Sequence, residues 1–165
     1  MPLSATLATD EVYAAFLSDQ RERAFFHGHT FTAHPLGCAV ARASMELLKE
    51  RDTPMRFQRQ GEAIAAALSH HLSQQPWGDQ VSVRQLGGIV AAEWTGQDTA
   101  YASNLSQQLR AACLRQKHVL LRPLGNVLYA LPPACLEEAQ VHMIAEAINA
   151  CFAAVIPASA TSLSS

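Results

Sequence analysis

Two adjacent glycines, Gly87-Gly88, stand between two short runs of strand composition, Val81 to Leu86 and Ile89 to Trp94. A reversal this tight leaves the flanking runs one arrangement, an antiparallel hairpin, because parallel neighbours need a crossover of about a dozen residues. A second pair of short strands follows, Val119-Leu120-Leu121 and Val127 to Leu131, linked by Arg122-Pro123-Leu124-Gly125-Asn126. Pro132-Pro133 then ends the second of these, since neither proline can donate to a ladder. Any fold for this chain must therefore carry a small antiparallel sheet.

The segments around the hairpins have helical period. Thr9-Asp10-Glu11 can cap a short helix whose apolar face is Val12, Tyr13 and Phe16. His34-Pro35 opens a longer one to about Lys49, proline being well suited to the first helical position. Its apolar positions are Leu36, Ala39, Val40, Ala43, Leu47 and Leu48. Pro54 starts a third, to about Ser73, with Ile64, Leu68 and Leu72 as the buried stripe. Residues 99–116 form a fourth, with Leu105, Leu109, Ala112 and Cys113 inside, and a fifth runs from about Leu136 to Phe152 with Val141, Ile144, Ala145 and Ile148 facing in. Pro76-Trp77-Gly78-Asp79 is a turn, and residues 157–165 read as a disordered tail. Helices, hairpin, helix, hairpin and helix in that order predict an α+β domain, an antiparallel sheet covered by helices. The first 30 or so residues fit this unit poorly and read as the edge of something larger.

The 165 residues are 49% hydrophobic and 16% charged with a formal net charge of −2. Such a chain can bury a core, and its charge gives no reason to expect nucleic acid or an anionic membrane as a partner. No apolar run approaches the roughly 18 residues of a spanning helix, and the N-terminus lacks a signal-peptide pattern. Cys38, Cys113, Cys135 and Cys151 show no CxxC pairing and sit among apolar residues. They read as reduced, buried thiols, which suits the cytoplasm.

Two segments could carry chemistry. In His27-Gly28-His29-Thr30-Phe31, Gly28 permits close approach of a ligand to the backbone, and Thr30 offers a hydroxyl beside free N–H groups near a helix start, a natural phosphate site. On the residues alone it is equally an ordinary turn. His27, His29 and His34 lie close together, but no carboxylate or cysteine stands at ligand spacing, and no metal is assigned. In the second segment, Arg122 is stiffened by Pro123 and presents a planar fork that matches a carboxylate if held in a cleft, or else is a surface arginine beside a loop. Tyr129 can offer its hydroxyl to the same cleft or simply pack in the sheet. No GxSxG, Walker or GxGxxG pattern is present.

Four segments read together resemble the class-III, pyridoxal-phosphate-dependent aminotransferases: MPLSATLATDEV, HGHTFTAHPLGCAVARASMELL, VRQLGGIVAAEW and LLRPLGNVLYALPP. Their order and spacing agree with the family from residue 1 to about 153. Arg-Pro followed by Tyr and Pro-Pro is most similar to the branch that aminates 8-amino-7-oxononanoate in biotin synthesis, with S-adenosylmethionine as amino donor. The resemblance implies the C-terminal part of a fold type I, aspartate aminotransferase-like enzyme. Residues 1–50 would be the end of the large cofactor-binding domain and a connecting helix, residues 51–153 the small C-terminal domain, and residues 154–165 the tail.

The resemblance also implies roles. Thr30 and the backbone of His29 would bind the phosphate of pyridoxal phosphate held by the neighbouring subunit of a homodimer. Gly28 would lie against the substrate, Arg122 would pair with its carboxylate, and Tyr129 would line that pocket. Ala33-His34 and Ala134 depart from the pattern, standing where relatives have a small residue with Asn and an aromatic residue. In the family the lysine that holds the cofactor lies before the point where this chain starts. Lys49 and Lys117 match no family motif, so no catalytic residue is assigned and the chain is expected to be inactive without a further N-terminal segment. The alternative is a non-catalytic carboxylate-binding or interaction module that reuses the fold.

Overall fold

The computed structural model describes residues 3–96 and 104–156. The chain divides after Arg51 into two compact units.

The first unit holds α1 (Asp10–Ala14) and α2 (Pro35–Glu50). Thr9 caps α1 by accepting a hydrogen bond from the Val12 N–H at 3.4 Å. His34 caps α2: its Nδ1 accepts from the Gly37 N–H at 3.1 Å, satisfying a donor that the first helical turn leaves free. The imidazole thus does here what an asparagine carbonyl could do. The apolar stripe of α2 is not buried. Leu36, Val40, Leu47 and Leu48 are exposed, and Gly37 is the one buried residue of that helix. Val12, Tyr13, Phe16, Phe25, Phe26 and Phe31 are exposed as well.

The second unit contains α3 (Thr53–Ser73), β1 (Val81–Leu86), β2 (Ile89–Trp94), α4 (Asn104–Leu114), β3 (Arg122–Leu124), β4 (Val127–Ala130) and α5 (Glu138–Ala153). The strands make one antiparallel sheet in the order β1-β2-β4-β3. Alternation decides its faces. Val81, Val90, Ala92, Trp94, Leu128 and Ala130 point into the core with Ile64, Leu68, Leu109, Ile148 and Phe152. The helices pack on that side: α3 on β1 and β2, α4 on β3, and α5 against both α3 and α4. Gly87, at φ +55°, makes the two-residue turn between β1 and β2. Helix α3 meets this turn at Gly61, where there is no room for a Cβ beside the Gly87 carbonyl. At α5 the N-cap Glu137 and Gln140 form a reciprocal capping box.

Three expectations need correction. The third strand is Arg122–Leu124, three residues later than Val119–Leu121. Register explains the shift: Leu124 pairs with Val127, so only Gly125 and Asn126 form the turn, with Gly125 at φ +61°. Pro123 is tolerated within β3 because β3 is an edge strand. The last helix starts at Glu138 rather than Leu136. Of the cysteines, all free, only Cys113 and Cys151 are buried, whereas Cys38 and Cys135 are exposed. The expected first residues of α4, 99–103, and the expected tail, 157–165, lie outside the described residues.

Candidate functional site

Arg122 and Tyr129 come together. They are directly paired across β3 and β4, and both side chains stand on the sheet face turned away from the core. Along that face the cross-strand row is Arg84, Ala91, Tyr129, Arg122. Opposed residues on one face have Cβ atoms about 5 Å apart, so one ligand can reach both side chains. Arg122 is exposed, and among the described residues it has no carboxylate within ion-pair distance. Its fork is therefore available to a ligand.

Both residues line a cavity of about 430 Å3. Its other walls include Val119 and Leu121 from the segment before β3, Pro132, Pro133 and Leu136 between β4 and α5, and Met143 and Ile144 within α5. Arg122, Tyr129, His118 and Gln140 are the polar side chains of an otherwise apolar lining, which suits a carboxylate on a hydrocarbon chain. Sequence reading found Arg122 and Tyr129 but missed the apolar wall. Val119 and Leu121 have strand composition, and nothing local indicates that Met143 returns to the same place.

Asn126 was also missed. It is buried, and its Nδ2 donates to the Trp94 carbonyl at 2.8 Å and to Glu93 Oε1 at 3.3 Å. Glu93 Oε2 in turn accepts from the Arg84 guanidinium at 3.0 Å. The Gly-Asn dipeptide, a tight-turn signature, was the available signal.

In the first unit, Gly28, His29 and Thr30 lie on one exposed loop that turns at residues 30–33 into α2. A Cβ at Gly28 would meet nothing within 4 Å, so this backbone is open to approach. The His29 N–H donates to Thr32 Oγ1 at 3.0 Å, and the His29 carbonyl accepts from the Thr32 N–H at 3.0 Å. Thr32 thus holds the loop, and the His29 amide is already engaged. Ala33, at φ +57°, takes the left-handed conformation that carries the chain into the His34 cap. The His27 and His29 rings meet edge to face at 4.8 Å, and Phe25 and Phe16 continue the aromatic string. Among the described residues no group of three or more His, Cys, Asp or Glu is placed to hold a metal ion. Among the described residues, too, no helix is long and apolar enough to cross a membrane.

Cys113 on α4 and Cys151 on α5 approach to 3.8 Å between sulfurs. Burial pushes both thiols up, Cys151 to about 12 with a further push from its neighbour Cys113. They are protonated packing groups rather than nucleophiles.

The adenosylmethionine-8-amino-7-oxononanoate aminotransferase of Synechococcus elongatus is 38% identical over 148 residues, covering 90% of this chain and 34% of that protein. The enzyme of the same name from Geobacter sulfurreducens is 38% identical over 155 residues, covering 90% and 33%. The chain thus spans about a third of the length of the curated relatives it matches. Among solved structures, the adenosylmethionine-8-amino-7-oxononanoate aminotransferase of Methanocaldococcus jannaschii superposes with a TM-score of 0.72 at 25% identity, over 90% of this chain and 34% of that one. The acetylornithine aminotransferase of Elizabethkingia anophelis shares the fold, with a TM-score of 0.68 at 23% identity over 89% of this chain and 34% of that one. The sheet and its helices are accordingly those of the C-terminal part of a fold type I aminotransferase. The family model described as aminotransferase class-III matches residues 1–152, and the chain belongs to that family.

Proposed function

We propose that this chain is the C-terminal part of an aminotransferase that moves an amino group from S-adenosylmethionine to 8-amino-7-oxononanoate, giving 7,8-diaminononanoate in biotin synthesis. The observation that carries the reading is the pairing of Arg122 with Tyr129 at the mouth of the apolar hollow. A long-chain oxo-acid has one carboxylate and a run of methylenes. Arg122 takes the carboxylate, Tyr129 flanks it, and Leu136 and Met143 exclude water from the chain.

The loop residues have the second role. Thr30 presents its hydroxyl on an exposed turn, and Gly28 leaves open space beside it. The turn at Thr30 fits the phosphate of pyridoxal phosphate, brought to the loop by the neighbouring subunit of a homodimer, and the open space at Gly28 fits the substrate. The His29 backbone fits less freely, since its N–H must be shared with or released from Thr32. When bound, the cofactor supplies the electron sink for amino-group transfer. This chain contributes grip and orientation. Lys49 and Lys117 are exposed, on the last turn of α2 and after α4, and neither adjoins Arg122 or Thr30 in sequence. The covalent hold on the cofactor and the proton transfers are assigned to no residue of this chain. The exposed apolar residues of the first unit support its reading as the edge of a larger domain, and four free thiols support a cytoplasmic setting.

The test is binding of 8-amino-7-oxononanoate to the chain, followed by amide shifts in NMR spectra, for the unaltered protein and Arg122→Ala. Because Arg122 is exposed, its pair with a carboxylate is worth about 1 kcal/mol, so the variant should bind roughly fivefold more weakly. Equal affinity would overturn the assignment of Arg122. With cofactor and S-adenosylmethionine added, the chain alone should make no diaminononanoate, and turnover would overturn the partial-site reading.

A further inference from the structure

We infer that Asn126 is a positioning residue for Arg122, acting through a side-chain clamp that locks the register of the edge strand; the inference rests on Arg122 as the carboxylate-binding group.

Strand β3 has three residues and lies at the edge of the sheet, so β4 is its one strand partner. The place of Arg122 along the cavity mouth thus depends on the β3–β4 register and on how that hairpin sits against β2. A slip of one residue would move Arg122 to the opposite face of the sheet. Little within β3 resists a slip, because Pro123 has no N–H to donate. The turn that sets the register has only two residues, Gly125 and Asn126.

Asn126 ties this turn to β2. Beyond the last ladder pair, Glu93 with Val127, the Trp94 N–H donates to the Asn126 carbonyl at 3.1 Å. The bond returning to the Trp94 carbonyl comes from the Asn126 side chain, Nδ2 to O at 2.8 Å. The amide thereby extends the β2–β4 ladder by one reciprocal pair into the turn. Its Nδ2 also reaches Glu93 Oε1, while Glu93 Oε2 is held by Arg84 of β1. Arg84, Glu93 and Asn126 therefore link β1, β2 and the β3–β4 turn, and Arg122 and Tyr129 lie four and three residues from that anchor. None of Arg84, Glu93 and Asn126 lines the cavity, and Asn126 acts by holding the hairpin. Because Asn126 is buried, removing its donor leaves the Trp94 carbonyl and a Glu93 oxygen short of a partner, and the turn is then free to shift.

The experiment titrates the full chain with hexanoate and, separately, with hexanamide, reading amide shifts of the cavity residues by NMR. The unaltered protein should prefer the carboxylate, and Arg122→Ala should abolish that preference. Asn126→Ala should bring hexanoate affinity within about twofold of the Arg122→Ala variant, removing an arginine–carboxylate gain of about fivefold, and leave hexanamide affinity unchanged. Asn126→Ser, uncharged and too short to reach both acceptors, should behave likewise, and an unchanged circular dichroism spectrum guards against misfolding of either variant. Loss of affinity for both ligands together would mean general damage to the cavity and would overturn a positioning role. Full carboxylate preference in both Asn126 variants, with Arg122→Ala still deficient, would overturn it too. No preference in the unaltered protein would refute the reading of Arg122 itself, and the inference with it.

Discussion

Gly61→Ala should destabilise the protein, although alanine is the better helix former. Gly61 lies in the interior of α3, where replacing glycine by alanine ordinarily gains about 1 kcal/mol. Here a Cβ would overlap the Gly87 carbonyl oxygen, lie 3.2 Å from the Gly87 carbonyl carbon and stand 3.0 Å from Gln85 Nε2. The obstacle is backbone, and it is tethered: Gln85 Nε2 donates to the Gly87 carbonyl at 2.6 Å. Moving the helix away costs about 1–3 kcal/mol as overpacking, and loss of the tether about 1 more. Against the propensity gain, the net loss is about 1–3 kcal/mol, or a fall in Tm of roughly 4–12 °C at roughly 4 °C per kcal/mol. Urea unfolding followed by circular dichroism, with a thermal melt, measures both. Ala66→Gly, at an exposed position of the same helix, is the control and should cost about 1 kcal/mol through propensity alone. The two opposite substitutions should therefore both destabilise. A Gly61→Ala protein as stable as the parent, or more so, would refute the close approach of α3 to the β1–β2 turn.

Two further outcomes concern the thiols. In the folded chain, Cys38 and Cys135 should react promptly with an aromatic disulfide reagent and Cys113 and Cys151 only on unfolding; four equal rates would contradict the burial of the α4–α5 pair. Raising the Cys151 thiol from 9.0 to about 12 means that the fold holds this proton more tightly than the unfolded chain does. That stabilisation is complete below about pH 9 and is lost as pH rises toward 12. Between those values Tm should fall more steeply for the parent than for Cys151→Ala, each referred to its own value at pH 8, and parallel curves would refute the assignment.

Much of the fold could be read locally because its signals are local. The Gly87-Gly88 pair and the alternation beside it place β1 and β2 to the residue. Pro35 and Pro54 mark the starts of α2 and α3, and the period of Ile64, Leu68 and Leu72 marks the buried stripe of α3. Strand β3 was misplaced because Val119-Leu120-Leu121 has the apolar composition of a strand. The true strand, Arg-Pro-Leu, is defined only by pairing with β4. The stripe of α2 shows the reverse: its period is right for burial, yet most of its apolar residues are exposed in this chain.

The amino-acid sequence by itself determined which residue types were available for binding: an arginine stiffened by proline, a tyrosine at strand spacing, and a threonine in a glycine-containing loop. Motif order also determined the family. Tertiary structure alone decided that Arg122 and Tyr129 share one cross-strand pair, that Leu136 and Met143 return to wall the same hollow, and that Asn126 fastens the turn between them. The physical reason is sequence distance. Propensity, capping and turn chemistry act over a few residues, whereas a cavity wall is made wherever the burial of a core brings remote segments together.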